Sequence, residues 1–318
     1  MKSISYLCNL TENKIYNINA METIRNFDEL IEHLRQREGM RRVAVVCPYD
    51  ESTQGAVENA LKAGFIEAIL VGDTEKIGTR FSDYAERVSY VETADPDEAA
   101  AKAVAMAREG KADIVMKGLV NTDNLLRAVL NKETGILPKG NVLTHLTCAQ
   151  IAGYDKLIYC TDVAVIPHPT AEQREQQLRY VLQLARSMGV EEPRVGLINC
   201  TEKVNEKHFP FTVEYKQLIE KAEAGEFGRC IVDGPLDLKT CFSPAALHKK
   251  GIESPLEGHA DAIIFPDIQA GNVFYKTITC FCQAQTAGIL SGPQVPVVLP
   301  SRGDSPENKF YSLALAAL

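Results

Sequence analysis

Short β-branched runs alternate with helical stretches along the whole 318-residue chain, and this alternation constrains the fold more than any other feature. The first runs are RRVAVVCP (41–48), EAILVG (67–72), RVSYVE (87–92) and DIVMKG (113–118). They are followed by LIYCTDVAVIP (157–167), RVGLINC (194–200), RCIVDGPL (229–236), DAIIFPD (261–267) and VPVVLPS (295–301). Between them the pattern predicts helices over 52–64, 95–110, 121–131, 171–188, 205–225, 271–288 and 304–318. Continuously apolar strands need cover on both faces, so the expected fold is α/β, with a mostly parallel sheet between helical layers. Ser52, Asp95–Pro96 and Asp304 to Pro306 stand at helix starts, where side-chain oxygens accept free backbone N–H groups.

Two stretches interrupt the alternation. NKETGILPKGNVLTHL (131–146) is rich in Gly, Pro, Lys and Asn and reads as a crossing between two lobes. GILSGPQVP (288–296) reads as the return. The expected division is a discontinuous first domain over 21–140 plus 292–318, and a second over 141–291. Residues 1–20 are polar and Asn-rich and read as a peripheral extension without function.

The net charge of −8 argues against a nucleic-acid partner, while leaving room for a local basic pocket for a small anion. No apolar run reaches the roughly 18 residues of a membrane span, and the N-terminus lacks a signal-peptide core. The nine cysteines are scattered, with no Cys-x-x-Cys pair, so no structural metal site is expected. Free thiols of this kind suit a reducing cytoplasm.

In open α/β sheets, ligands gather beyond the carboxyl ends of strands. Those positions hold Lys117–Gly118 after DIVM, Asp267 with Gly271–Asn272 after AIIF, and Ser301–Arg302–Gly303 after VPVVLP. Glycine lets backbone N–H groups approach a phosphate, a helix start adds partial positive charge, and arginine offers a planar fork for two phosphate oxygens. An anion pocket is the expectation. No Gly-x-Gly-x-x-Gly turn, Walker lysine loop or Gly-x-Ser-x-Gly elbow accompanies it. His145 and His168 sit in loops and read as structural hydrogen-bonders.

The segments MKGLVNTDNLLRAVLNKETGI, LTHL, HADAIIFPDIQAGNVFYKTIT and VPVVLPSRGDSPENKFYSLALA resemble the phosphate acetyltransferase and phosphate butyryltransferase family, with the closer likeness to the butyryltransferases. The resemblance runs from about residue 22 to the C-terminus. It implies two three-layer α/β domains of the isocitrate/isopropylmalate dehydrogenase type with an active site in the cleft between them. It also implies the reaction acyl-CoA + phosphate = acyl phosphate + CoA, with a short acyl group (butyryl or acetyl) passing directly in a ternary complex. CoA is then a substrate, no cofactor or metal is required, and a homodimer or higher homo-oligomer is expected.

Carried over residue by residue, the resemblance places Ser301 and Arg302 at the family's Ser-Arg pair. Arg302 would grip the phosphoryl group and Ser301 would hydrogen-bond the developing charge or the sulfur. Lys117, Gly118, Thr122, Gly271 and Asn272 are expected to line the same pocket. One departure stands out. Where the acetyltransferases have an aspartate proposed to deprotonate CoA, seven positions after the serine, this chain has Asn308. Asp304 and Glu307 are nearby, but on a helix from 304 they would face elsewhere, which leaves the base unassigned. Competing readings are a non-catalytic acyl-CoA sensor, which Asn308 favours, and a metal-dependent NAD dehydrogenase, which would need a His/Asp cluster.

Overall fold

The computed structural model describes residues 22–301 and 303–318, so the proposed extension over 1–20 and the catalytic candidate Arg302 lie outside the described residues. The elements begin with α1 (Phe27–Gln36), β1 (Arg41–Val46), α2 (Glu51–Ala63), β2 (Ile66–Gly72), α3 (Thr74–Ile77) and β3 (Val88–Glu92). Next come α4 (Pro96–Arg108), β4 (Ile114–Lys117), α5 (Thr122–Val129), β5 (Thr144–Gln150), β6 (Ile158–Thr161), α6 (Ala171–Ser187) and β7 (Arg194–Ile198). The chain continues through α7 (Phe211–Glu223), β8 (Ile231–Leu236), α8 (Leu238–Phe242), α9 (Pro244–Lys250) and β9 (Ala262–Ile264). It ends with α10 (Ile268–Phe281), β10 (Gln285–Ser291), β11 (Val297–Val298) and α11 (Pro306–Ala317).

Among the described residues, eleven strands join one open sheet in the order β3-β2-β1-β4-β11-β10-β5-β6-β9-β7-β8. Pairing is parallel from β3 to β11 and again from β6 to β8. The three junctions between these blocks, β11/β10, β10/β5 and β5/β6, are antiparallel. An odd number of reversals makes β9 run opposite to β4 and β11, so their carboxyl ends lie at opposite edges of the sheet.

Alternating side chains set the layers. Val43 and Val45 of β1 join a core with Leu30 of α1, Val57 of α2 and Leu313 of α11, while Ala44 and Val46 face Ala103 of α4 and Leu125 of α5. In the second block Tyr159 of β6 faces the α6 side and Cys160 the other. Helices therefore cover both faces, as the continuously apolar strands require. The last helix packs back on α2 and α1, so the chain's end returns to the block formed by its beginning.

Several expected boundaries differ, each for a local reason. The helix over 271–288 stops at Phe281, and 285–291 forms β10, which pairs on both sides with β5 and β11. The strand over 157–167 stops at Thr161 because the Asp162 carboxylate gathers the N–H groups of Ala164, Val165 and Ile166 into a turn. The helix over 205–225 starts at Phe211, after a turn in which Asn205 and Phe209 bridge. Asp50, not Ser52, caps α2, accepting the Thr53 N–H at 2.8 Å. Ser305 caps α11, with Pro306 as its first residue, leaving Asp304 outside the helix. No helix of the described residues is long and apolar enough to cross a membrane.

Candidate active site

Ser301 reaches the surface because β11 is short and buried. Val297 and Val298 are fully covered, each worth about 1.5–3 kcal/mol of burial, and three residues later the chain is exposed at Ser301. Beside it, β4 runs parallel and ends at Lys117. Lys117, Thr122 and Ser301 line one cavity of about 550 Å³ with Asn124 and Arg127 of α5. A smaller recess of about 110 Å³ adjoins it, lined by Asp50, Lys117, Gly118, Pro300, Ser301 and Lys309. Two expected ligand groups, from the ends of β4 and β11, thus meet in one hollow.

Lys117 is only 4% exposed, and its ammonium donates to the carbonyls of Gly118 and Val120 at 3.2 and 3.3 Å. Gly118 is there because nothing larger fits. A Cβ would sit 2.6 Å from the Val46 carbonyl oxygen and 2.5 Å from that of Cys47. The Gly118 N–H instead bonds Val46 O at 2.8 Å, which holds the turn after β4 against β1. Thr122 is the exposed first residue of α5, so the helix's free N–H groups open beside this cavity.

Gly271 and Asn272 occupy a different place. They sit in the first turn of α10, after β9, and do not line the cavity with Lys117 and Ser301. Gly271 lies against the Asp162 backbone carbonyl, too close for any Cβ. Asn272 Nδ2 donates to Val163 O at 3.1 Å. Asp267 caps α10 by accepting the Ala270 N–H at 2.9 Å. One turn on, Tyr275 reaches back to the Ser301 loop, donating to Asp304 Oδ1 at 3.3 Å.

Asp304 is the residue that helical reasoning set aside. Since α11 starts at Pro306, Asp304 is free to turn toward Ser301. Its Oδ2 accepts the Ser301 N–H at 2.7 Å, and its own N–H donates to Ser301 O at 3.2 Å. The Ser52 hydroxyl donates to Asp304 O at 3.3 Å. Burial, and then the Asp304 charge, push the Tyr275 phenol up to about 12. Asn308 is engaged elsewhere, its side-chain oxygen accepting the Thr286 N–H at 3.0 Å.

Other polar groups near these strands also escaped the sequence. Asp162 is 2% exposed and accepts from the Thr144 hydroxyl at 2.8 Å and from the His145 N–H at 3.2 Å. His145 lies in β5 rather than in a loop, and burial lowers its pKa against the opposing pull of Asp162 and Asp304. His168 is exposed, as a loop residue should be. Lys309, 4% exposed, donates to Asp50 at 3.1 Å and to Thr53 Oγ1 at 3.2 Å. Burial raises the Asp50 pKa, but the Thr53 bonds and Lys309 outweigh it and leave the carboxyl below its usual value. Arg127 was readable in principle, since Asp123, Asn124 and Arg127 share one helical face.

A layered α/β sheet with lysines, a serine and a helix start around one hollow has the chemistry of a site for an anion. Comparison with known proteins narrows this. A family model described as "Phosphate acetyl/butaryl transferase" matches residues 95–317. The chain is 39% identical over 302 residues to the phosphate butyryltransferase of Clostridium acetobutylicum, covering 93% of this chain and 98% of that protein. It is 34% identical to the phosphate acetyltransferase of Thermotoga maritima, covering 87% and 95%. The crystal structure of a branched-chain phosphotransacylase from Enterococcus faecalis superposes with a TM-score of 0.75 at 29% identity, covering 87% of this chain and 98% of that one. The chain belongs to the phosphate acetyl/butyryl transferase family.

Proposed function

We infer that this protein moves a short-chain acyl group between CoA and inorganic phosphate, acyl-CoA + phosphate = acyl phosphate + CoA. The observation that carries the reading is the meeting of Ser301 and buried Lys117 in one cavity at the ends of two parallel strands. A buried ammonium, with a second at Lys309, suits a phosphate that must stand beside a thioester carbonyl. Arg302, next in sequence to Ser301, is assigned the phosphoryl grip, and Ser301 the developing charge or the sulfur. Lys117, Gly118 and Thr122 line the anion side. Gly271 and Asn272 set the start of α10, through which Tyr275 approaches Asp304.

Catalysis on this reading is mostly positioning. Phosphate oxygen and thioester carbon held together react as if at high local concentration. Direct transfer within a ternary complex has a clear test. Labelled CoA incubated with butyryl-CoA and no phosphate should show no exchange, whereas an acyl-enzyme would exchange the label without phosphate. The chain-length preference between butyryl and acetyl is assigned to butyryl on the strength of the Clostridium relative. No metal or redox cofactor enters the proposed reaction.

The same reading divides the chain into domains at 21–140 plus 292–318 and at 141–291, supported by the reversal of strand direction across β10 and β5. It also includes a cytoplasmic setting, short-chain fatty acid metabolism and a homo-oligomer. Val273 and Phe281, 65% and 84% exposed on α10, offer apolar surface for contact with a second copy.

A further inference from the structure

We propose that Asp304 is the group that takes the proton from the CoA thiol as the thiol attacks an acyl phosphate, and returns it to the CoA sulfur in the opposite direction. The proposal rests on the acyltransferase reading above and gives the reaction the base that the sequence left unassigned. A thiol with a pKa near about 8.5 is mostly protonated at neutral pH, so a neighbouring carboxylate that accepts its proton raises the rate.

The geometry points to Asp304 rather than to its neighbours. Its carboxylate is fixed against the proposed catalytic serine by the 2.7 Å bond from the Ser301 N–H. Its other oxygen is held by the Tyr275 hydroxyl at 3.3 Å, and a phenol with a pKa of about 12 stays a donor through any working pH. These two bonds use two of the roughly four acceptor positions of a carboxylate. Asp304 is half-buried, one hydrogen bond away from Ser301, which lines both the larger cavity and the adjoining recess. Asn308 does not serve, because an amide takes no proton at neutral pH and its oxygen is bonded to Thr286.

The groups facing Asp304 come from four other elements: Tyr275 from α10, Thr286 from β10 beyond that phenol, Ser52 from α2 and His145 from β5. Of these only Tyr275 and His145 titrate. His145 is buried, and burial favours its neutral form against the opposing pull of Asp162 and Asp304. In the step itself the S–H bond breaks and its proton passes to Asp304, while sulfur bonds to the acyl carbon. The carbon–oxygen bond to phosphate then breaks, and phosphate leaves with the electron pair.

A bland role also fits the same bonds, since an Asx-type brace would equally hold the turn after Ser301. The two roles separate in Asp304→Asn, which keeps an acceptor for the Ser301 N–H but takes no proton. Butyryl-CoA formation from butyryl phosphate and CoA is followed by thioester absorbance between pH 6.5 and 9. The expected result is a loss of about 100-fold or more at pH 7, the usual scale of general-base catalysis. The deficit should close by about tenfold per pH unit as thiolate forms unaided. Asp304→Ala supplies a second arm, in which added formate restores part of the rate. A wild-type-to-variant ratio that stays constant across this range, with no rescue by formate, assigns Asp304 to the brace and overturns the proposal. Wild-type protein that forms no acyl-CoA overturns the acyltransferase reading, and this proposal with it.

Discussion

Lys309 of the last helix lies 3.1 Å from Asp50, the residue that caps α2, and the pair closes the inner wall of the recess beside Ser301. One ion pair therefore joins the chain's end to its beginning where the proposed phosphate sits. Lys309→Met leaves Asp50 without its counter-charge. Losing one partner of a buried pair costs about 3–5 kcal/mol, but Asp50 keeps 27% side-chain exposure, so about 2 kcal/mol is expected. Urea unfolding measures this, and a variant as stable as the wild type would show the pair to be idle.

Gly118→Ala should be destabilising by about 1–3 kcal/mol, the usual cost of overpacking. The new methyl must displace the carbonyls of Val46 or Cys47, and backbone yields less readily than a side chain. Lys117 should move with the turn, so phosphate affinity falls as well. A titration of the folded variant with phosphate, read by calorimetry, separates the two effects. Unchanged affinity would mean that Lys117 does not depend on this turn.

Asn308→Ala removes the acceptor for the Thr286 N–H, at a residue only 3% exposed. An unsatisfied buried donor costs about 1–3 kcal/mol. Asn308→Asp preserves the acceptor and should stay close to wild-type stability. Thermal unfolding of the two variants checks the difference, and equal losses would contradict it.

His145 contributes a pH-dependent part of stability. Burial lowers its pKa below 6.5, although Asp162 and Asp304 pull the other way. The unfolded chain takes up the proton first, so this contribution is complete above pH 6.5 and is lost as the pH falls below it. Unfolding free energies at pH 7.5, 6.5 and 5.5 should fall more steeply in the wild type than in His145→Gln. The difference in slope is bounded at about 1.4 kcal/mol per pH unit for one proton. Equal slopes would mean that His145 titrates alike in both states.

Where apolar runs were long and β-branched, as in RRVAVVCP, DIVMKG and RVGLINC, the sequence was enough to place strands, although each observed strand stops one or two residues short of the expected end. It was not enough for β5 and β10. THLTCAQ is polar in composition, yet Thr144 and His145 are buried because Asp162 satisfies them across the sheet. QTAGILS has little intrinsic strand preference and is held by partners on both sides, which local pattern does not reveal. The same limit governs the site. Lys117 was legible because it ends an obvious strand, and Ser301 because it follows one, although the strand expected over 295–301 is only Val297–Val298 and Ser301 lies three residues beyond it. Asp304 was not, because its position depends on whether Ser305 or Asp304 caps the last helix, a matter of one residue. Tyr275 was hidden too, since only tertiary packing brings α10 to the Ser301 loop.

The measurement that tests the account most directly is release of CoA thiol from butyryl-CoA, with and without inorganic phosphate, by the wild type and by Arg302→Ala. The account predicts phosphate-dependent release by the wild type and a loss of about 100-fold or more in the variant, the scale of removing one charge-stabilising donor. Release that needs no phosphate, or that survives the loss of Arg302 undiminished, would contradict it.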